Sequence, residues 1–347
     1  MDKPIRLWLV DAFSERAFAG ATTGVAPVEE WPADSLMRQI AAENGCTETA
    51  FFKSIGLKGN YELRCFTAEG EIALGGHATL AAGAVLLSEV EPELDMAVFD
   101  TASGPLVVRK GAAPGEFTLD LPKRPRAAWE PPAALAHALG GVNFEDAFVG
   151  EYANVVLPSE DAVRNLKPDI EAIAKLVRGP KAGCLAVTAR ADEGKPYDFV
   201  SRFFAPGAGL AEDPVTGSSF ADLAPYWCDR LGQAEVRGLQ ASARGGQARM
   251  RQTLSSVRLF APTAVYLRGE LDEAIGAKPP APVEVVRLPA PQPVLDAPFA
   301  VIAEPAPAAA PGPAFDEAAE ILVFDLDAPT EEGGEVVRVL ELPPALQ

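Results

Sequence analysis

Two stretches of this chain follow one grammar. "RCFTAEGEIALGGHATLAA", from Arg64, and "RFFAPGAGLAEDPVTGSSFADLA", from Arg202, each end a strand with Arg-x-Phe and pass through a glycine turn and an irregular loop. Each then opens an apolar helix at a glycine followed by a polar residue. Self-similarity of this kind implies a duplicated supersecondary unit. With 347 residues the chain is long enough for two cores of ordinary size. We therefore expect two related α/β domains, over 1–120 and 121–275, joined near the proline-rich "LPKRPRAAWEPPAAL".

The local patterns fill this frame. "IRLWLVDAF" reads as a strand and "FAGATTGVAPV" as a glycine-containing loop. "ADSLMRQIAAENG" reads as a helix, capped by Asp34 or Ser35, with Leu36, Met37, Ile40 and Ala41 on one face and Asn44-Gly45 at its end. "CTETAFF", "YELRCFT", "MAVFDTASGPLVVRK" and "GEFTLDLP" read as strands. In the second half "YANVVLP", "GCLAVTA" and "YDFVSRFF" are strands, and "PDIEAIAKLV" and "SSFADLAPYWCDRL" are helices. His137, on the apolar stretch "PAALAHALGG", reads as a packing residue.

From Pro280 onward the character changes, with 13 of the 32 prolines and 12 acidic residues against only Arg287 and Arg338. "PAPAAAPGPAF" predicts an extended linker, and "EILVFDLD" and "EVVRVLEL" alternate as strands do. Residues 276–347 thus read as an acidic, proline-rich extension, an appendage with a possible unidentified partner.

Charge and cysteine usage narrow the function. A net charge of −19 and no basic stripe argue against nucleic acid and anionic membrane surfaces as partners. Cys46, Cys65, Cys184 and Cys228 are widely spaced, without metal-ligand spacing, so no metal site is expected. The start lacks a signal-peptide pattern and no apolar run reaches membrane-spanning length, which gives a cytoplasmic expectation with reduced thiols. P-loop, dinucleotide and nucleophile-elbow motifs are absent, leaving a site without a cofactor as the simplest expectation.

Three places carry candidate chemistry. At Gly75-Gly76-His77, and again at Thr216-Gly217-Ser218, a helix begins with bare backbone, where unpaired N–H groups and partial positive charge suit an anion. Gly-Gly as a plain turn and His77 as an ordinary cap is the competing account. Glu48 shares one strand face with Cys46, Ala50 and Phe52. Among apolar neighbours its pKa rises, and such a carboxyl can both take and give a proton; at a strand start it can equally face water. Asp213, before Pro214, serves either as a turn residue near a helix start or as a partner that pairs with His77 across a cleft.

Taken in order, "VDAFSERAFAG", "AAENGCTETAFF", "LRCFTAEGEIALGGHATLAAGAVLL", "DFVSRFFAPGAGLAEDPVTGSSFADLAPYW" and "LQASARGGQARMR" resemble the phenazine-biosynthesis (PhzF-like) family of isomerases and epimerases over about residues 5–270. The resemblance implies a diaminopimelate-epimerase-like fold: two pseudo-symmetric α/β domains, each a curved, barrel-like sheet around a central helix, with the site between them. It implies Glu48 as the catalytic carboxylate, with His77, Asp213 and Ser218 around it. The backbone at Gly76 and Gly217, with Ala78 and Ser219 beside them, would hold a small carboxylate-bearing substrate. Homodimers are common in this family. The chain departs from the family's pattern at Ala21-Thr22, where Asn-Pro is usual, and at Gly75, where cysteine is frequent. Related two-base racemases place a cysteine at the start of each central helix. Here Gly75 and Thr216 stand there, which disfavours a two-thiol reaction.

The leading expectation is a cofactor-independent isomerase with Glu48 as base and acid in turn. Its rivals are a non-catalytic binding protein that uses the acidic tail, and an amino-acid epimerase with a second base.

Overall fold

The first half lays down β1 (Arg6–Ala12), β2 (Ala21–Pro27), α1 (Asp34–Asn44), β3 (Glu48–Ser54), β4 (Asn60–Phe66), the short β5 (Glu71–Ile72), α2 (Gly76–Val85), β6 (Met96–Thr101), β7 (Gly104–Lys110) and β8 (Glu116–Pro122). The second half follows with β9 (Ala127–Ala128), α3 (Ala133–Ala138), β10 (Asp146–Val149), β11 (Ala153–Val156), α4 (Glu160–Arg164), α5 (Ile170–Leu176), β12 (Leu185–Arg190), β13 (Phe199–Phe204), α6 (Gly217–Leu231), β14 (Glu235–Gln240), β15 (Gly246–Gln252) and the long β16 (Ser256–Glu270). This is a computed structural model, which describes residues 4–72, 75–179, 181–272, 322–323 and 338–339. The chain falls into two units, Met1–Ala281 and Pro282–Gln347. In the latter, Leu322–Val323 pairs antiparallel with Arg338–Val339, inside the two stretches expected as strands. The expected proline-rich linker lies outside the described residues.

Within the first unit the duplication is explicit. From β1 to β8 the strands pair antiparallel, parallel, antiparallel, parallel, antiparallel and antiparallel; from β10 to β16 the series is the same. Each parallel step needs a crossover, which the helices provide. The two halves differ in closure. β1, β2, β3, β4, β6, β7, β8 and β16 form a ring of eight strands, closed by β16 on β1, whereas the second sheet ends at β9 with no return pairing among the described residues. β16 serves both lobes: its first half pairs with β8 and β15, and its second half, Thr263 to Glu270, pairs with β1. Residues 263–270 therefore complete the first lobe from near the far end of the first unit.

An eight-stranded barrel has room for little more than side chains. α2 fits inside because "GHATLAAGAV" is almost all small, and every one of its residues is buried. A Cβ on Gly83 would lie 2.4 Å from Val108 Cγ1, so the helix backbone presses directly on β7. A helix apolar on all sides belongs in a core. α6 is its counterpart, buried from Gly217 to Cys228 and amphipathic only at its C-terminal end. α1 covers the outer face of the barrel through Met37, Ile40 and Ala41 against Phe51 and Phe66. α4 and α5 cover the second sheet through Val163 and Ile173.

Several local expectations need correction. The "FAGATTGVAPV" stretch is not all loop; most of it is β2, a central strand whose small residues are packed from both sides. Gly24 is tight against Thr49 Oγ1 and Asn44 Nδ2, at 2.6 and 2.8 Å from an added Cβ. α1 is entered from Ala33 with no side-chain cap, although Gly45 does close it in the left-handed conformation. His137 is exposed on the short α3 rather than packed.

Candidate active site

The local folding that makes the site is the same in both lobes. Arg64, on β4, lies over the Phe66 ring and grips Glu71 with Nε at 2.9 Å and Nη2 at 2.6 Å. Arg202, on β13, lies over Phe204 and grips Glu212 with both nitrogens at 2.8 Å. Glu71 and Glu212 each stand five residues before the first residue of a central helix, Gly76 or Gly217. A bidentate Arg–carboxylate clip thus fixes where each helix starts. Arg-x-Phe was visible in the sequence; the glutamate partners were not recognised.

The two helix starts meet. An added Cβ on Gly76 would be 3.6 Å from Ser218 N and 3.9 Å from Gly217 Cα. Among the described residues the amides of Gly76, His77, Ala78, Gly217, Ser218 and Ser219 have no acceptor, the usual state of a helix's first turn. Three buried side-chain atoms around them also have no hydrogen-bond partner: Glu48 Oε2, Asp213 Oδ1 and Ser219 Oγ. Most buried polar atoms are paired, and three unpaired ones grouped at one place leave room there for a polar partner.

Glu48 enters from the start of β3, on the face it shares with Ala50 and Phe52 toward the barrel interior. Its Oε2 occupies the space over Gly75, 2.4 Å from where a Cβ would stand, with Cys65 Sγ at 2.9 Å from the same point. Gly75 is what admits the carboxyl. Burial first, and then the negative charge of Asp213, push the Glu48 pKa well above the ordinary carboxylate range. Asp213 itself is pushed up to about 6 by burial, against the lowering effect of a hydrogen bond from Thr216 Oγ1. Burial pulls His77 down to about 4, so its imidazole is neutral near pH 7.

The sequence-derived residues Glu48, His77, Asp213, Ser218 and Ser219, with Gly76, Ala78 and Gly217, come together around the two helix starts, but two of their relations differ from expectation. Asp213 is not paired with His77. His77 Nε2 lies 3.0 Å from Thr47 Oγ1 and 3.5 Å from Glu48 Oε2, while Asp213 is bound by Thr216. Ser218 Oγ is engaged by Tyr152 OH at 2.8 Å, which leaves Ser219 as the hydroxyl without a partner. Sequence reasoning missed Thr47, Tyr152 and Gln240. Gln240 is fully buried, accepts from Thr216 N at 2.9 Å and donates to Asp213 O at 2.7 Å, which shapes the loop that aims Asp213. Nothing in the local pattern marks these three, because each acts across the fold.

A cavity of about 490 Å³ lined by Tyr197, Arg237, Gln247, Arg249 and Phe260 lies elsewhere, and none of the residues around Glu48 lines it. Among the described residues no three His, Cys, Asp or Glu side chains are grouped as metal ligands, and no helix is long and apolar enough to cross a membrane.

Residues 10–271 match the PhzC-PhzF family, described as phenazine biosynthesis-like protein. The chain belongs to this family. It is 37% identical over 267 residues to an uncharacterized isomerase of Pseudomonas aeruginosa, covering 77% of this chain and 98% of that one. It is 33% identical over 259 residues to a human phenazine biosynthesis-like domain-containing protein, covering 70% and 89%. A crystal structure of a PhzF-family protein from Enterococcus faecalis superposes with a TM-score of 0.72 at 35% identity, over 78% of this chain and all of that one. The coarse class follows: this PhzF-family member is an enzyme of the isomerase or epimerase type.

Proposed function

We propose that this PhzF-family protein is a cofactor-independent isomerase that moves a proton between carbons of a small carboxylate-bearing molecule, with Glu48 as the base and then the acid. One observation carries the reading: the Glu48 carboxyl is buried, unpartnered at Oε2 and raised in pKa where two helix N-termini converge. A carbon next to a carboxylate becomes acidic only if the charge that develops on the carboxylate side is stabilised. Six free amides and two helix dipoles are suited to that task. Glu48 then needs a pKa close enough to neutrality to return the proton, and burial supplies it.

His77, neutral and close to Glu48, and Ser219 complete the pocket. Asp213, with Oδ1 buried and free, is the group that favours a second reading, in which it protonates the opposite face of the same carbon and the reaction is an epimerisation. Homodimerisation and a cytoplasmic location belong to the same proposal.

The test is proton NMR in D₂O with a panel of cyclic and amino carboxylates. The isomerase reading expects one compound to exchange a carbon-bound proton with the wild type and not with Glu48→Gln, with label appearing at a second carbon. Inversion at a single labelled centre would select the epimerase reading. Binding without exchange by either protein would discard both.

A further inference from the structure

Asp11, on β1, is a carboxylate only 1% exposed, which the proton chemistry above does not use. Its Oδ2 accepts the Phe18 amide at 2.8 Å, and its Oδ1 accepts the Thr22 hydroxyl at 2.5 Å and Arg244 Nη2 at 2.8 Å. Arg244 comes from the turn between β14 and β15, in the other lobe. Its Nε donates to Gly20 O at 2.8 Å and Nη2 also reaches Ala19 O at 3.3 Å, while Gly20 N donates to Gly245 O at 2.7 Å. Residues 18–22 are therefore stitched to the second lobe by side chain and backbone together.

The stitched segment is strained. Phe13 and Phe18 take left-handed backbone (φ 64° and 69°) although neither is glycine, and an added Cβ on Gly20 would lie 2.1 Å from Ala12 O. Such conformations are costly and persist only where the surroundings over-determine them. Phe18 is 72% exposed, so core packing does not hold it there; the Asp11 carboxylate accepts its amide, and its ring makes an edge contact with Tyr266 at 5.0 Å between centroids.

The segment ends beside the site. Thr47 Oγ1 donates to Thr22 O across a long 3.4 Å and lies 3.0 Å from His77 Nε2, which in turn lies 3.5 Å from Glu48 Oε2. A threonine hydroxyl has one proton. When that proton goes to the Thr22 carbonyl, the oxygen turns a lone pair toward Nε2, and a neutral imidazole must then carry its own proton there.

We propose that Arg244 and Asp11 are positioning residues: by holding the 18–22 segment they place the Thr22 carbonyl so that, through Thr47, His77 is fixed with its proton on Nε2, on the side of Glu48. Its functional meaning rests on the reading of Glu48 as the base, since a donor beside Oε2 steadies the ionised carboxylate that is present before the proton is taken and again after it is returned. The tautomer itself does not depend on that reading.

The chain contains two histidines, so selective ¹⁵N-histidine labelling of the full-length protein gives a direct readout at pH 7, with the exposed His137 as internal reference. In the wild type the expected His77 pattern is a protonated-type Nε2 and a bare Nδ1. Arg244→Ala and Thr47→Val are expected to bring the two nitrogen shifts together as the tautomers mix, with His137 unmoved, and Arg244→Lys to restore part of the separation. If Arg244→Ala does not fold, the isosteric Asp11→Asn provides the same readout. A wild-type Nδ1–H tautomer, or a wild-type His77 pattern in folded Arg244→Ala or Asp11→Asn, would overturn the proposal. A merely structural strap would lower the melting temperature and leave the His77 nitrogens as they were. Because no turnover is needed, a failed exchange assay with the expected tautomer would reject the isomerase reading alone.

Discussion

The two lobes have the same strand pairing and the same Arg–Glu clip, yet they hold different chemistry at matching places. Registering Phe66 on Thr49 in the first lobe and Phe204 on Leu185 in the second makes Cys184 the counterpart of Glu48. Cys184 is buried beside Ala186 and Phe203, and the half-buried Glu48 sends its buried Oε2 toward Cys65, over Gly75. Its thiol is raised above its ordinary pKa by burial, opposed by Lys181, which favours the protonated form over the nucleophilic thiolate. Gly75 likewise corresponds to Thr216, whose side chain is turned onto Asp213. The duplication thus preserved the frame and, on the proposed reading, divided the labour: the first lobe holds the carboxyl proposed as base and its histidine, the second Asp213 and the unpartnered Ser219 hydroxyl.

The largest effect should come from removing the asymmetry at its source. Glu48→Gln is expected to lower proton exchange by about 10²–10⁴-fold, read by NMR, with the fold intact; wild-type rates would mean that the lobes do not differ as described. Next is Gly75→Ala. Its methyl would meet Glu48 Oε2 and Cys65 Sγ, so the carboxyl must move, and exchange should fall by up to about 10²-fold. Retained rates would show that the carboxyl has another seat.

His77 tests the electrostatic difference. Its folded pKa, about 4, lies below its ordinary value, so the unfolded chain binds more protons between the two. Its contribution to stability is complete above pH 6.5 and is lost as pH falls toward 4, to the extent of about 3 kcal/mol. Asp213 acts with the opposite sign, because its raised pKa costs stability as pH rises from 3.8 toward 6. The separation is visible in a variant: His77→Gln should lose less stability than wild type on acidification, by urea unfolding at pH 7 and pH 4.5. Equal losses would contradict a buried neutral His77.

The clips sharpen the comparison further. Arg202 is the more buried and also donates to Leu166 O at 2.7 Å, so Arg202→Ala should cost about 2–3 kcal/mol. Arg64→Ala should cost about 1 kcal/mol, as its pairs lie nearer solvent. Both are checked by denaturant titration. The smallest effect is expected at Cys184→Ser, with exchange within about twofold of wild type. A large loss there would make the second lobe a direct participant.

How much of this was legible depended on whether the signal was local. The repeat, the glycine-opened helices and the face of Glu48 could be read because periodicity and composition carry them. β2 was hidden by its small residues, which exist for close packing against Asn44 and Thr49 rather than for a turn. Gln240 and Arg244 lie in the "LQASARGGQARMR" stretch that carries part of the resemblance, but their roles are not local; only the folded chain puts one under Asp213 and the other on Asp11. The closure of the barrel was equally invisible, since nothing near β1 announces a partner at residues 263–270.

That closure has a kinetic side. β1 is made long before its closing neighbour, since Ala12 pairs with Thr263 and Arg6 with Glu270, so β1 and β8 wait as open sheet edges while the rest of the unit emerges. Pairings of such long sequence separation slow folding, and unpaired edges invite association with other chains. A nascent chain stopped before residue 263 would thus have most of its sequence and an unsealed barrel, and release of the last few strand residues would act as the latch that commits the whole unit to its native form.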